Sequence, residues 1–218
     1  ILNYTVIKNS YQAIAVEDPS PNANPKLTLN QCVIDNSYDY GIIALNSGIT
    51  ANNCLISNCG KNIALGKGGS YQFTHCTVVS YSNFFIQHKD PVLTLSDDNG
   101  SASLDAVFRN CIFWGENESL ENEVVVDKTG SNGTVTFKNV LWRLKTTLAN
   151  VTVDPPAINN LDPEFDSIDV SKHYYDFRIS KRNSPAVDAG NNNSLTIDLD
   201  GNTRPVGLKP DLGCFEKQ

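Results

Sequence analysis

The most constraining feature of this sequence is a cysteine-containing segment that recurs at a fixed interval. NQCVIDN returns as NNCLISN and, more loosely, as THCTVVS, so Cys32, Cys54 and Cys76 are equally spaced along the chain. In two related segments, Cys111 and Val140 occupy the cysteine position after longer intervals. A repeat with a period of about 20 to 50 residues is typical of a solenoid, because each unit buries its apolar face only against the next.

Each repeat has the pattern of three short strands. In one unit these are residues 27–29, 32–34 and 41–45, separated by turns rich in asparagine, glycine and serine. No apolar run keeps a helical period long enough to form a helix. The sequence therefore predicts an all-β fold, a right-handed parallel β-helix with about 22 residues and three short strands per coil. The repeat by itself does not specify a hand; the right hand rests on the strong preference of parallel crossover connections and on the resemblance of the coils to a known family.

The residues of the repeated segment have distinct predicted roles. Asparagine tolerates the left-handed backbone region, so it fits a tight bend before the cysteine strand. Four asparagines are predicted at this bend: Asn30, Asn53, Asn110 and Asn139. The cysteines share the inward face of their strand with the residue two positions later, as small apolar fillers. Free thiols are favoured over disulfides, because parallel Cβ vectors suit the disulfide dihedral poorly. The spacing of Cys54 and Cys59 does not match a zinc site, and the histidines form no pair at ligand spacing.

From about residue 146 the repeat disappears and prolines and turn formers become frequent. The motifs of this tail are SPAVDAG, DLDGNTRP and DLGCFE. An open solenoid end exposes unpaired backbone groups, so a cover is required there. We expect residues 1–145 to form the coils, as the C-terminal part of a longer solenoid, and residues 146–218 to form a loop-rich C-terminal cap.

Two resemblances support this organisation. The coils resemble the right-handed parallel β-helix proteins of the pectate-lyase-like superfamily. The tail is similar to the C-terminal module of bacterial secreted and cell-surface β-helix proteins, in which SPAxDAG, DxDGxxR and DxGxxE elements occur in this order. Cys214 stands where that module usually has a small residue such as alanine. The resemblance implies an extracellular or cell-surface bacterial protein, and it supplies no substrate.

Charge and composition limit the partners. The formal net charge of −7 disfavours binding to a nucleic acid backbone, and no apolar run is long enough for a transmembrane segment. Asp198 and Asp200 in DLDGN could form a calcium loop, but the longer acidic pattern and closing glutamate of an EF-hand are missing, so a structural turn is favoured. No cofactor or metal site is expected, and the oligomeric state stays open.

Catalytic groups of the superfamily usually project outward from one strand series. The third strands predict an outward stripe of Ala15, Ala44, Ala64, Phe85 and Val125. This stripe lacks the carboxylates that bind Ca²⁺ and the Arg or Lys that acts as base in a polysaccharide lyase. Paired aspartates of a polygalacturonase-like hydrolase are not found either.

Aromatic residues beside carboxylates and amides suit carbohydrate, because sugar faces stack on rings while hydroxyls take the polar groups. The predicted ligand-binding residues lie in or near the turns flanking the third strands: Tyr38, Asp39, Tyr40, Tyr81, Phe85 and Trp114. The alternative is that these rings pack against neighbouring loops. Candidate acid and base groups are His88, Asp39 and Lys61, and for His88 the alternative is a solvated loop residue.

Three functions remain open from the sequence. The first is a secreted or surface-displayed bacterial module that binds an extracellular polysaccharide or other glycan without catalysis. The second is a polysaccharide lyase or glycoside hydrolase whose site uses the tyrosine turn, Lys61 and His88. The third is a structural stalk or adhesin segment. The outward surface around these residues distinguishes the three, since convergent charges favour an enzyme and an aromatic shelf favours binding.

Overall fold

A computed structural model describes residues 1–116, 120–181 and 183–218, and these residues form an all-β fold without a helix. The short strands follow from the alternation of buried and exposed side chains, which is typical of half-buried β-structure. The strands are β1 Leu2–Asn3, β2 Val6–Lys8, β3 Gln12–Glu17, β4 Leu27–Asn30, β5 Val33–Asp35, β6 Tyr40–Asn52, β7 Leu55–Ser57, β8 Lys61–Thr74, β9 Thr77–Ser80, β10 Leu93–Ser96, β11 Leu104–Gly115, β12 Val124–Asp127, β13 Val135–Trp142, β14 Thr152–Asn159, β15 Ser167–Asp169 and β16 Tyr174–Asp176.

Fourteen of these strands form one parallel sheet that curls round an axis, as a β-helix-like fold requires. Its pairings follow three rows. The first row contains β1, β4, the end of β6, the end of β8, the start of β11, the start of β13 and the start of β14. The second row contains β2, β5, β7, β9 and the ends of β11, β13 and β14. The third row contains β3, the starts of β6 and β8, β10 and β12.

Large apolar side chains stack on the inner side of the rows. In the first row Phe73 pairs with Phe108 and Phe108 with Phe137, and their ring centroids are 5.4 and 5.0 Å apart. In-register pairing therefore stacks these three rings, and Phe108 has a ring on both sides. This column of aromatic residues fills the interior of the sheet.

The repeated cysteines form a second buried column. Cys54, Cys76 and Cys111 are fully buried, and Cys111 pairs in register with Val140. All six cysteines of the chain are free thiols. Burial raises the pKa of Cys54 and Cys76 well above the usual range of a thiol. These side chains therefore act as small apolar fillers and are poor nucleophiles.

The tight bends before the second row contain residues with positive φ, as the sequence predicts. Asn53, Asn110 and Asn139 have φ of 51, 55 and 52°, which confirms three of the four predicted positions. The prediction for Asn30 is wrong, because Gln31 takes the bend with φ of 51°. The Asn30 side chain stays in β4, where its amide donates to Asn3 Oδ1 at 2.8 Å.

The predicted outward stripe of the third row also requires correction. Ala44 is fully buried, and its neighbour Ile43 faces outward beside Ala64. In the next repeat the third-row strand is β10, so Thr94 pairs with Ala64. Phe85 lies instead in the loop between β9 and β10, because residues 81–92 form an insertion that the regular spacing does not reveal.

The sheet and the tail meet differently from the predicted arrangement. Strand β14 pairs with β13, so the parallel sheet continues to Asn159 rather than ending near residue 145. The tail then packs along the outer side of the second row, where Phe165, Phe177 and Leu212 share a buried cluster with Val79 and other second-row residues. The tail therefore covers a flank of the sheet and forms a wall beside the ends of the second-row strands.

The tail motifs supply a buried contact between Arg204 and Glu216, here called the joint, that holds the tail against this flank of the sheet. Arg204 of DLDGNTRP is buried, and its guanidinium donates to Glu216 Oε2 at 2.9 Å and to Asn53 Oδ1 at 2.8 Å. Glu216 of DLGCFE also accepts from the backbone N–H groups of Val206 and Asp211. A buried charge pair is stable only when its remaining hydrogen bonds are satisfied, and these contacts satisfy them.

Replacing Arg204 tests this joint. We expect Arg204→Ala to lower the free energy of unfolding by about 3 to 5 kcal/mol, because Glu216 would remain buried without its partner. Urea unfolding measures this change. The control is Lys181→Ala, which removes an ion pair to Glu164 whose side chains are both 48% exposed. That change should cost about 1 kcal/mol or less, and equal losses would contradict the role of Arg204.

Candidate functional site

The predicted tyrosine turn is present as a surface cluster. Tyr38 is 61% exposed and stacks on Tyr11, with ring centroids 5.8 Å apart. Asp39 accepts a hydrogen bond from Gln12, and the Lys61 ammonium lies 5.2 Å from the centroid of the Tyr40 ring. The structure thus brings together four residues that the sequence singled out.

The charge of Lys61 is favoured by this turn. Tyr40 is the largest cause of a raised pKa at Lys61, and Asp90 and Asp39 add to it, while burial opposes the shift. A lysine with a raised pKa stays protonated at neutral pH, so it is a poor general base. Lys61 is better suited to holding an anion or a hydroxyl oxygen than to removing a proton.

The second group of predicted residues, Tyr81 and Trp114, lies in a cleft of about 480 Å³, which we name the Trp114 cleft. Its walls are formed where strands of the second row end, at the carboxyl ends of β9, β11, β13 and β14. Residues that follow parallel neighbouring strands converge at one edge of the sheet. The lining residues are Tyr81, Trp114, Gly115, Glu116, Arg143, Lys145, Asn160 and Asp162.

The floor of the Trp114 cleft is aromatic. Trp114 and Tyr81 are each 8% exposed, so only a small part of each side chain faces the cleft. The Arg143 guanidinium lies 5.7 Å from the Trp114 ring centroid, and its Nη1 donates to the Gly115 carbonyl at 2.8 Å. This cation–π contact and hydrogen bond fix the orientation of Arg143 over the floor.

The rim of the cleft is charged and held by backbone contacts. Glu116 Oε1 accepts from the Ser82 N–H at 2.6 Å, and Asp162 Oδ1 accepts from the Glu164 N–H at 2.7 Å. Burial raises the pKa of Tyr81, and the negative charges of Asp162 and Glu116 raise it further. The Tyr81 phenol therefore stays protonated at neutral pH, so it keeps its proton for donation to a hydrogen-bond acceptor.

His88 has a different place from the predicted loop surface. It is 2% exposed, and its Nε2 lies 2.9 Å from Glu123 Oε1 in a fully buried pair. Glu123 Oε2 has no hydrogen-bond partner among the described residues. The pair lies directly behind Gly115, where an added Cβ would collide with His88 Nε2 and Glu123 Oε1. His88 thus lies behind the cleft wall, where it is almost fully buried and supports the wall.

The remaining predicted residues lie apart from the Trp114 cleft. Phe85 is 82% exposed on the loop that precedes β10. The Asp198 carboxylate accepts from the N–H groups of Asn202 and Glu216 at 2.8 and 3.0 Å. Asp200 accepts two hydrogen bonds from the Arg178 guanidinium. Protein donors thus occupy both carboxylates of the DLDGN segment, as in a structural turn.

Within residues 1–116, 120–181 and 183–218, no group of three or more His, Cys, Asp or Glu side chains is arranged to hold a metal ion. Those residues also contain no helix with the length and apolarity needed to cross a bilayer.

The sequence pattern does not identify several residues of the cleft and its back wall. Arg143 and Lys145 follow the last recognisable repeat, so their position beside Trp114 could have been found by extending the register one step further. Asp162 comes from the tail and Glu123 from a loop, and neither belongs to a repeated pattern. Long-range packing alone brings these two acids to the cleft and its back wall.

Comparison with known proteins adds no family. No protein-family model matches the chain, and no curated protein matches it significantly.

Gly115 provides a test of the cleft wall. We expect Gly115→Ala to lower the free energy of unfolding by about 1 to 3 kcal/mol, because the new methyl group would displace the His88 and Glu123 side chains. Thermal and urea unfolding would measure the loss. Gly48→Ala is the control, since its Cβ would approach other atoms only to 3.4 Å. Equal losses of stability in Gly115→Ala and Gly48→Ala would show that the buried pair does not require glycine at position 115.

Proposed function

We propose that this chain is a carbohydrate-binding module that uses the Trp114 cleft. The observation that carries the proposal is the convergence of two aromatic side chains with carboxylate, amide and cationic groups in one cleft of about 480 Å³. Because both rings are 8% exposed and Arg143 lies over Trp114, such a cleft would hold a sugar mainly by hydrogen bonds from its charged and amide groups to hydroxyl groups, and the exposed ring edges would supply the apolar contact. The tyrosine turn offers a further exposed ring pair on the same molecule.

The proposed scaffold is a right-handed parallel β-helix of the pectate-lyase-like type. Support comes from the three rows of parallel pairing and from in-register residues such as Leu29, Ala51 and Phe73, which are equally spaced in the sequence. The right-handed form is favoured because nearly all parallel crossover connections have that hand. A rigid ladder of this type suits binding, since it fixes the backbone of the cleft residues in advance and so lowers the conformational entropy lost on ligand contact.

The proposed location is the outside or the surface of a bacterial cell. The motifs SPAVDAG, DLDGNTRP and DLGCFE support it through their resemblance to the C-terminal modules of secreted and cell-surface β-helix proteins. The structure gives these motifs a role in holding the tail against the sheet, since Arg204 and Glu216 form the buried joint.

A glycan array followed by calorimetry tests the binding proposal. Lys145→Ala and Asp162→Asn change exposed rim positions and leave the aromatic floor intact. Each should weaken binding of the selected glycan by about tenfold, because a hydrogen bond to a charged group would be lost. Lys209→Ala and Asp127→Asn alter exposed residues of the same types away from the cleft and should bind as the parent does.

Two experimental outcomes would contradict this proposal. If the array detects a glycan but the rim variants and their controls bind it equally, the Trp114 cleft is not the binding site. If the array and an activity screen both detect nothing, the structural stalk or adhesin function becomes the better explanation.

An enzymatic function is the second candidate, because Glu116 and Asp162 line one cleft and both act on the pKa of Tyr81. Two carboxylates beside a sugar site can serve as acid and base or nucleophile in glycoside hydrolysis. A screen on acidic and neutral polysaccharides would detect new reducing ends or unsaturated uronates. Glu116→Gln should abolish such products while glycan binding persists, and products that survive this change would exclude Glu116 as a catalytic group.

A further inference from the structure

A separate pocket of about 230 Å³ lies between the loop before β10 and the tail. Aromatic rings from both segments line it: Phe84 and Phe85 from the loop, and His173 and Tyr175 from the tail. Asp35 and Asn83 contribute polar groups to the same pocket. We name it the Phe84 pocket, and it shares no lining residue with the Trp114 cleft.

The two phenylalanines are held on a closed turn. The Asn83 N–H donates to the Ile86 carbonyl at 2.7 Å, and Asn83 Oδ1 accepts from the N–H groups of Phe85 and Ile86, each at 2.9 Å. Ile86 is 6% exposed and anchors the turn in the protein. Phe84 and Phe85 are nevertheless 83% and 82% exposed. Two large aromatic side chains kept in solvent by a fixed turn indicate a contact surface for a ligand.

The tail supplies the opposite side of the pocket. The ring centroids of Phe84 and His173 are 3.9 Å apart, with an angle of 60° between the planes. Tyr175 is held by a hydrogen bond from its hydroxyl to the Ser82 carbonyl at 2.6 Å and by stacking on Tyr81. The Phe84 and His173 rings are therefore in contact with each other and together form one aromatic wall of the pocket.

The electrostatic environment of the pocket favours a cation. Asp35 lines the pocket; its Oδ1 accepts hydrogen bonds from Ser57 and Asn58, and its Oδ2 lies 3.4 Å from the ammonium of Lys8, whose side chain is 50% exposed. Burial raises the pKa of Tyr175, and the charges of Glu116, Asp169 and Asp35 raise it further, so three carboxylates act at this ring. The net charge of −7 acts in the same direction over a longer range.

We propose that the Phe84 pocket binds a small organic cation with a trimethylammonium group, such as choline. The negative faces of aromatic rings attract a cation, and a quaternary ammonium group gains from them because it has no N–H to offer to water or amides. The methyl groups of the trimethylammonium ligand also cover the exposed faces of Phe84 and Phe85. This site is independent of the carbohydrate proposal, because its lining residues are different.

Heteronuclear NMR titration with choline and with its neutral isostere 3,3-dimethyl-1-butanol tests the proposal. Choline should give saturable shifts around residues 83–86 and 173–175, and the uncharged alcohol should bind more weakly by about threefold or more. Phe84→Ala and Phe85→Ala should each weaken choline binding by about 3- to 30-fold, as expected for one cation–π contact. Both side chains are exposed, so the fold should tolerate their removal.

Tyr4→Ala is the matched control, because it removes another exposed aromatic side chain, one that does not line the Phe84 pocket. It should leave choline binding unchanged. Equal affinity for choline and the neutral alcohol would show that the pocket recognises apolar groups rather than a cation, and would overturn the proposal. Undiminished binding in both phenylalanine variants, or no saturable shift with choline, would overturn it as well.

A vesicle assay distinguishes the source of the trimethylammonium group. Cosedimentation with phosphatidylcholine vesicles but not with phosphatidylglycerol vesicles, lost in Phe84→Ala, would support the pocket with a lipid headgroup as ligand. Binding of free choline without cosedimentation would support the pocket with a soluble ligand.

Discussion

The parallel register of the strands is the constraint on which the rest of the structure depends. Leu29 pairs with Ala51 and Ala51 with Phe73, so inward side chains at in-register positions lie over one another from strand to strand. The cysteine and phenylalanine columns follow from this stacking, and so does the convergence of side chains at the strand ends. A shift by one residue would turn each inward column to solvent, so the core and the cleft depend on the same register.

The buried joint at Arg204 extends this order to the tail. By bonding to Asn53 in a bend of the sheet and to Glu216 in the last motif, Arg204 fixes the tail along the second row. The same tail contributes Asp162 to the Trp114 cleft and Tyr175 to the Phe84 pocket. Both candidate sites therefore lie between the sheet and the tail, and neither is complete on the sheet alone.

Features that depend on neighbouring residues could be predicted from the sequence, whereas features that depend on distant contacts could not. Asn53, Asn110 and Asn139 were predicted at bends because a left-handed residue leaves a direct mark on composition. Ala44 and Phe85 were assigned wrongly, because a short alanine-containing strand does not show which face is buried and an inserted loop hides the next strand. Tyr81 and Trp114 were singled out, but their common cleft with Arg143 and Asp162 depends on contacts between distant segments.

The sequence by itself determined the all-β class, the repeat and the inward role of the cysteines, since a short and regular repeat can bury its apolar face only by stacking. Only the tertiary structure decided where the tail lies and which polar groups it brings to the sheet. His88 shows the difference most clearly, because its partner Glu123 is 35 residues away in a loop without a repeated pattern. Periodic packing can be predicted from the regular spacing of residues along the chain. A pairing between two irregular segments has no such pattern and forms only when the chain folds.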